Sequence, residues 1–406
     1  MLTPEYLAVF SNSLLAIYDQ LEVQIVADIA RRLVKNEGVT DSALWQYKQA
    51  MEIGGLQEEI NSQIAEMTGK AEAEIERLFK EAGAMNVRTN VRPLEIAGLS
   101  VDLSLSGSME QTLLAEILRT KNNIYNLTLT TGSTAADLYR QYSNQAYMQA
   151  VSGAFSPQQA IRSAVKAAAD EGSYVQFPKR RDHLDVAIRR NLLTSVNQTI
   201  GVLTEMQAED LGVQYYEVSA HSGARPSHAE WQGQIYKIEG HDDYPNFEES
   251  TGYGDVTGLC GVNCRHTFYP YWPGISKPAY SAEKLAEYEN HRVEYEGIEY
   301  TDYEASQIQR GMERSIRATR RELASTDAAR KASEDEAVRK ALNDDFTLFA
   351  KKLKEQEKRL KSFCRQTNRD YESDRVQVVA YKDEHGRVVH FDRSVSQKAV
   401  HAAKKG

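Results

Sequence analysis

The chain has 406 residues, of which 41% are hydrophobic and 26% are charged, with three cysteines and a formal net charge of −9. This length predicts two or three domains with a substantial core, and the balance of apolar and charged residues is that of an ordinary folded protein. The negative charge argues against a protein that coats nucleic acid with its whole surface. The few cysteines, odd in number, argue against a secreted disulfide framework.

The first residues have the pattern of a helix start and not of a secretory signal. Thr3 can cap a helix that begins at Pro4, because proline suits the first helical position. The apolar run that follows is interrupted by Asp19, Glu22 and Asp28, so it does not predict a membrane span. We therefore expect the chain to remain in the reducing cytoplasm of its host unless it is packaged into a larger particle.

A helical period continues to about Met85, with a short break expected at Gly69. The apolar residues of one face are Leu56, Ile60, Ile64 and Met67. Helices that are long and charged on the outside can present themselves to a partner, although packing within a bundle is the simpler interpretation.

The helical spacing of apolar residues is lost between Gly83 and Gly107. Apolar and polar residues alternate in part of this segment, which predicts a loop or a weak strand pair. Helices return after this segment. A new capped helix is predicted to start within Thr130–Asp137. Another is predicted to start at Ser156, because the proline that follows suits the first helical position.

A basic cluster precedes the next helix and consists of Lys179, Arg180 and Arg181. Such a cluster can contact nucleic acid or an acidic partner surface. The simpler interpretation is a solvated face, because Asp182 and Asp185 lie beside it in the sequence.

The stretch from Tyr215 to Gly274 concentrates residues that are rare elsewhere, including two of the three cysteines and four of the nine histidines. Glycine and proline recur in it every few residues, which excludes a continuous helix. We predict short strands and ordered loops, forming a compact α+β module.

Five residues of this stretch are candidate metal ligands, because thiolate and imidazole are the groups that zinc prefers. They are His221, His228, Cys260, Cys264 and His266. Four of the five could close a tetrahedral zinc site. The alternative is that the cysteines are small buried residues and the histidines form hydrogen bonds in the core.

The same stretch permits a catalytic hypothesis, with Glu230 as a base beside His228 in a metal-dependent phosphodiesterase. Arginine and histidine side chains that hold an irregular loop explain the same residues, and we favour that interpretation. No phosphate-binding glycine motif occurs, so no nucleotide-driven motor is predicted.

The residues from Tyr280 to Arg369 are almost all helix formers. An apolar stripe within them consists of Phe346, Phe349, Leu353, Leu360 and Phe363. The stripe could pair with another copy of the chain, but it is short for a free coiled coil, so we expect it to fold back on its own domain.

The end of the chain combines a predicted hairpin with a short basic tail. Two alternating runs, Val376–Tyr381 and Arg387–Asp392, flank a polar loop and predict a C-terminal β-hairpin. The residues from Ser394 to Gly406 are small and basic, and we expect them to fray.

Two long and unusual strings, His221–Tyr236 and Gly252–Ser276, carry a resemblance to a known family. They resemble the signature of phage minor capsid proteins of Gram-positive bacteria, a family distantly similar to Mu-type head morphogenesis proteins. The flanking runs Arg180–Gly212 and Phe363–Val378 agree with it, and the resemblance covers most of the chain from about Ala146.

The resemblance implies a structural protein of a tailed phage virion and not an enzyme. It implies a location inside the capsid or at the portal vertex, after synthesis in the host cytoplasm. The expected partners are the portal protein or the major capsid protein, with roles in head assembly and in the packaging or ejection of DNA. The rival from the residues alone is a DNA-binding head protein that uses Lys179, Arg180 and Arg181.

The predicted fold is α+β and predominantly helical, with long N-terminal and C-terminal helices around the compact module. We predict four consecutive regions. They are a helical region (1–145), the central module (146–279), a charged helical region (280–370) and the hairpin with its tail (371–406).

Overall fold

The computed structural model describes residues 3–36, 39, 41–172, 174–376, 381–382, 388–389 and 393–405. The fold is α+β and predominantly helical, as predicted. The helices are α1 (Pro4–Val9), α2 (Asn12–Val34), α3 (Ser42–Ile96), α4 (Gly107–Val151), α5 (Pro157–Glu171), α6 (Leu184–Asp210), α7 (Pro226–Ala229), α8 (Phe247–Thr251), α9 (Ala282–Asn290), α10 (Asp302–Ala332), α11 (Glu336–Gln366), α12 (Ser373–Val376) and α13 (Arg393–Lys405). The strands are β1 (Tyr174–Phe177), β2 (Arg180–His183), β3 (Tyr215–Val218), β4 (Ile235–Lys237), β5 (Phe268–Tyr271), β6 (Arg292–Tyr295), β7 (Ile298–Thr301), β8 (Tyr381–Lys382) and β9 (Val388–Val389).

The strands form small antiparallel sheets. Three pairs, β1–β2, β6–β7 and β8–β9, are two-stranded, and the remaining sheet has the order β4-β3-β5. In the three-stranded sheet, Tyr216 lies opposite Tyr236 on one side and Pro270 on the other. This sheet is the frame of the cysteine-rich stretch, which confirms the expectation of short strands and ordered loops there.

The chain divides into two compact units, each built from three segments. Unit 1 comprises residues 1–12, 72–124 and 189–308, and unit 2 comprises residues 13–71, 125–188 and 309–406. The four consecutive regions expected from the sequence remain a prediction about domain boundaries. None of the helices in the described part of the chain combines the length and the apolar character that crossing a bilayer requires.

The core of unit 1 lies around the three-stranded sheet. Its aromatic centre joins Tyr216, Phe247 and Phe268, whose ring centroids lie between 4.7 and 5.0 Å apart. Trp231 and Leu259 are buried in the same cluster. Tilted aromatic contacts of this kind add to the area that the rings bury, so the sheet gives a firm base to the loops that follow its strands.

The core of unit 2 includes the apolar stripe of α11, which folds back as expected. Phe346 and Phe349 pack with Leu323 of α10 and Ala399 of α13. The expectation that the C-terminal tail frays is wrong, because α13 is a helix whose buried Ala399 seals this cluster.

Three local predictions in the first half of the chain fail where a helix continues. The break at Gly69 and the loop from Gly83 are both absorbed by α3, which runs to Ile96. Buried Val87 and Val91 give that segment a helical apolar face. The start expected at Thr130–Asp137 lies inside α4, where Gly132 lies closely against two isoleucine side chains of α3.

Two hairpins, β6–β7 and β8–β9, lie in the second half of the chain. The pair β6–β7 interrupts the helical stretch expected after Tyr280, and its turn residues Glu296 and Gly297 both have positive φ angles. At the C-terminus, β8 and β9 pair antiparallel as predicted. Val376 instead ends the short helix α12, and the rest of the expected hairpin lies outside the described residues.

Candidate metal centre

The three central candidate ligands are positioned by α7 and by the loop that enters β5. His228 lies in α7, while Cys264 and His266 precede β5. The loop is tightly folded, since a Cβ atom at Gly258 would overlap the carbonyl oxygen of Gly252. The carbonyl of Cys264 is also anchored, because it accepts a 2.6 Å hydrogen bond from Nδ2 of Asn197 in α6. The ligand positions are therefore fixed by packing on both sides.

His228, Cys264 and His266 form one buried group whose potential ligand atoms all lie within 4.8 Å of one another. The Sγ atom of Cys264 lies 3.8 Å from Nδ1 of His228 and 3.7 Å from Nδ1 of His266. One thiol and two imidazoles converging on a small volume are a donor set suited to a soft divalent metal such as zinc.

Hydrogen bonds at the far side of each imidazole define its tautomer. Nε2 of His228 lies 2.9 Å from the carbonyl oxygen of Thr257, so this nitrogen carries the proton. Nε2 of His266 lies 3.0 Å from Oε1 of Gln232. That Oε1 also accepts the backbone N–H of His221, which identifies it as the oxygen and makes Nε2 of His266 the donor. Both Nδ1 atoms therefore direct a lone pair toward Cys264, as ligating histidines do when their other nitrogen is engaged.

Burial keeps the imidazoles of the group neutral. Burial lowers the pKa of His228. Burial also lowers the pKa of His266 well below its usual value, and His221 and His228 lower it further. Burial raises the pKa of the Cys264 thiol. Neutral imidazoles are ready to coordinate, whereas the thiol releases its proton when a metal binds.

The other two candidate ligands, His221 and Cys260, lie beside the group and outside it. The ring of His221 stacks on that of His266 at 4.6 Å, and its Nδ1 lies 2.8 Å from the Ser222 carbonyl oxygen. The Sγ atom of Cys260 lies 3.9 Å from the carbonyl oxygen of His266. The structure thus brings together three of the five predicted ligands and places the remaining two in contact with them.

The supporting residues Gln232, Thr257 and Asn197 were missed by the sequence reasoning. Gln232 contacts His266, which lies 34 residues later in the chain, so local spacing gives no signal of this contact. A backbone carbonyl such as that of Thr257 leaves no signal in side-chain patterns, and Asn197 is distant in sequence from its partner.

The arrangement does not favour the phosphodiesterase hypothesis. Among the described residues, the converging group contains no carboxylate. Glu230 is exposed, whereas His228 is 3% exposed. Nη2 of Arg225 donates to the carbonyl oxygen of Val262 at 3.3 Å, a contact that holds the loop. These contacts fit the interpretation of polar side chains that fix an irregular segment.

The predicted basic contact cluster lies on the β1–β2 hairpin. Nε of Arg180 lies 2.9 Å from Asp182, and Nη1 of Arg181 lies 2.7 Å from Glu171. Lys179 is exposed in the turn. The two arginines have acidic partners within the chain, in agreement with the simpler interpretation of a solvated face.

A buried carboxyl on β3 makes the module sensitive to pH. Burial raises the pKa of Glu217 to about 7, an effect partly offset by the backbone N–H of Ala279, which donates to its carboxyl at 2.6 Å. The folded state therefore holds this proton more tightly than the unfolded state does. The stability linked to this proton is complete below the ordinary glutamate pKa and is lost as the pH rises through about 7.

We expect Glu217→Gln to remove this dependence, because the amide keeps an acceptor for Ala279 and has no charge. Between pH 5 and pH 8, measured by urea unfolding, the wild type should lose up to about 3 kcal/mol more stability than the variant. Glu230→Gln, at an exposed site in the same module, is the matched control and should follow the wild type. Equal pH profiles for wild type and Glu217→Gln would refute the prediction.

Comparison with known proteins identifies similar sequences. A model of the family described as phage minor capsid protein 2 matches residues 2–365. A curated protein described as "Structural protein", from Lactococcus phage LL-H, is 22% identical over 289 residues, which cover 67% of this chain and 75% of that protein. No solved structure matches.

Proposed function

We propose, from the premise that this chain belongs to the phage minor capsid protein 2 family, that it binds the portal protein or the major capsid protein within the virion. Membership follows from a family match over nearly the whole chain, and it agrees with the resemblance in the sequence. The structural role in the phage particle follows from the family and from the relative in phage LL-H. The finer assignment to the portal vertex or the inner capsid is our proposal.

The observation that carries the partner proposal is the presence of apolar side chains on exposed helix faces. Leu114 and Leu118 lie one turn apart on α4 and are 50% and 61% exposed. On α3, Tyr47 and Met51 are spaced in the same way and are 65% and 61% exposed. Large apolar residues that recur on one face of a helix are typical of surfaces that bind another protein.

We further propose that the central module holds one zinc ion through His228, Cys264 and His266. The fit rests on the two Nδ1 lone pairs and the thiol that face one another, and on the acceptors that fix each imidazole. When bound, the metal would supply cross-links between α7 and the loop before β5. A structural role fits the burial of all three ligand residues.

Two rival functions receive less support. A DNA-binding role through Lys179, Arg180 and Arg181 is weakened by the acidic partners of both arginines. An enzymatic role is weakened by the exposure of Glu230 and by the absence of a carboxylate from the described metal group.

Co-expression of the tagged chain with the portal protein of the same phage, and separately with the major capsid protein, tests the partner proposal. We expect one of them to co-purify with the chain. Leu118→Asp should reduce its capture at least about ten-fold, because a charge would be placed at the apolar contact. Gln111→Asp, at an exposed position of the same helix, introduces the same charge and should retain capture.

Failure of both head proteins to co-purify would refute the partner proposal. Equal loss of capture in Leu118→Asp and Gln111→Asp would refute the role of the apolar face, because the effect would then follow charge alone.

A further inference from the structure

Unit 1 also has an open groove of about 610 Å³. Unlike the apolar surface of Leu114 and Leu118, it is lined by several acidic residues. Its lining includes the partly buried apolar residues Val213 and Ile238, which pack on the core of the module. A volume of this size lies in the range of pockets that hold a ligand or several side chains of a partner. The groove is thus a concave site on a rigid base.

Carboxylates rim this groove from three elements. They are Glu205 and Glu209 of α6, Glu239 after β4, and Glu248 of α8. Glu205 and Glu209 are separated by one helical turn and so share a face of α6. Burial raises the pKa of Glu205, a hydrogen bond with Tyr253 partly offsets this, and the charge of nearby Glu248 raises the pKa by a smaller amount.

The cation available at this rim is already engaged. Lys237 lines the groove, but its Nζ lies 2.8 Å from Oδ2 of Asp242. Among the described lining residues, the one cation near the four glutamates is therefore shared with Asp242. Like charges gathered around a cleft concentrate a negative potential there.

We propose that this groove is a docking site for a segment of another head protein that carries lysine or arginine side chains around an apolar residue. The apolar side chain would rest on Val213 and Ile238, and the cations would pair with the glutamates of the rim. The basic C-terminal helix of this chain is not the occupant, because α13 packs on α11 through Ala399 within unit 2.

The proposal is independent of the identity of the partner captured by α4. Loss of Leu118 changes a different surface, so groove binding can fail while portal capture succeeds, and the reverse can also occur. The two proposals can therefore be refuted separately.

The test uses the full chain and a fluorescein-labelled peptide of alternating lysine and leucine, followed by fluorescence anisotropy. We expect binding that weakens with added salt, because exposed charge pairs are screened. The triple variant Glu205→Gln, Glu209→Gln, Glu248→Gln should bind at least about ten-fold more weakly.

The matched control changes three exposed glutamates of α3, as Glu58→Gln, Glu72→Gln, Glu95→Gln, and so alters the net charge equally. Full binding in this control, with loss in the groove variant, supports the proposal. Equal weakening in both variants would show non-specific attraction and overturn it, as would no binding by the wild type. Displacement of the peptide by millimolar calcium but not by matched sodium chloride would overturn it in favour of a divalent cation site.

Discussion

Changing Cys264 to serine is expected to remove the metal from the purified protein and to lower its melting temperature by about 10 °C. Sγ of Cys264 is the atom that both Nδ1 atoms face, at 3.8 and 3.7 Å. A serine hydroxyl is a poor ligand for zinc, so the two imidazoles would be left with one weak partner. Elemental analysis of the wild type should give about one zinc per chain, and the variant should give much less.

Two further cysteine variants make this result specific. Cys364→Ser alters a buried cysteine of unit 2, distant in sequence from the group, and should retain the metal. Cys260→Ser tests the neighbouring thiol. If Cys260 completes a tetrahedral site, its loss lowers the zinc content, and if it only packs against His266, the zinc content is unchanged. The absence of metal from the wild type, or its full retention in Cys264→Ser, would refute the site.

A graded effect on zinc binding is expected at Gln232, because its Oε1 fixes the tautomer of His266. The variant Gln232→Ala removes the acceptor that holds Nε2 of His266 and should weaken zinc binding by about 10–100-fold while leaving all three ligands in place. Titration with a zinc chelator measures this change. Gln234→Ala is the control, since Nε2 of Gln234 donates to the exposed backbone carbonyl of Glu230. An unchanged affinity in Gln232→Ala would contradict the role of that hydrogen bond.

The sequence indicated the residues of the candidate metal group because their signal is local. Cys264 and His266 are two residues apart, and thiol and imidazole side chains are rare enough in this chain to mark the loop. The sequence could not separate these ligands from His221 and Cys260, because the separation depends on the fold of the loop. The backbone turns at Cys260 and Asn263, which both have positive φ angles. The identity of these two residues does not by itself predict such a turn.

The prediction failed from residue 83 to residue 96 for a related reason. Asn86 and Asn90 lie on the buried face of α3 and disguise its apolar period. Asn86 donates to Oγ1 of Thr204 at 3.0 Å, and Asn90 donates to Oε1 of Gln207 at 2.9 Å. Buried amides of this kind are stable only when their partners are present, and those partners are more than 100 residues away along the chain.

Unit 2 contains a buried ionic cluster that the sequence did not indicate, and its disruption should cause a large loss of stability. Nη2 of Arg317 lies 2.7 Å from Oδ2 of Asp185, with side chains 15% and 5% exposed. Burial lowers the pKa of Arg317, but Asp185, Asp19 and Glu22 outweigh burial and leave the pKa raised. Arg321 of the same helix lies 3.5 Å from Glu22, so two guanidinium groups of α10 face carboxyl groups from two other helices.

Arg317→Met is expected to destabilise the protein by about 3–5 kcal/mol, because it removes the cation that lies 2.7 Å from the buried carboxylate of Asp185. Urea unfolding measures this change. The double variant Arg317→Met, Asp185→Leu should recover most of the loss, since an apolar pair of similar volume carries no desolvation cost. A small deficit should remain, because Asp185 lies in the first turn of α6, where a negative charge stabilises the helix.

The control for Arg317 is an ion pair of the same unit that is exposed to solvent. Arg140 and Asp137 lie 2.7 Å apart with side chains 49% and 63% exposed, so Arg140→Met should change stability by no more than about 0.5 kcal/mol. Both variants remove an arginine that pairs with a carboxylate, and the two pairs differ in burial. A larger loss of stability in Arg317→Met than in Arg140→Met would therefore be caused by burial. A loss below about 1 kcal/mol in Arg317→Met would mean that water reaches Asp185. The cluster would then act as a surface network and not as a buried element of the fold.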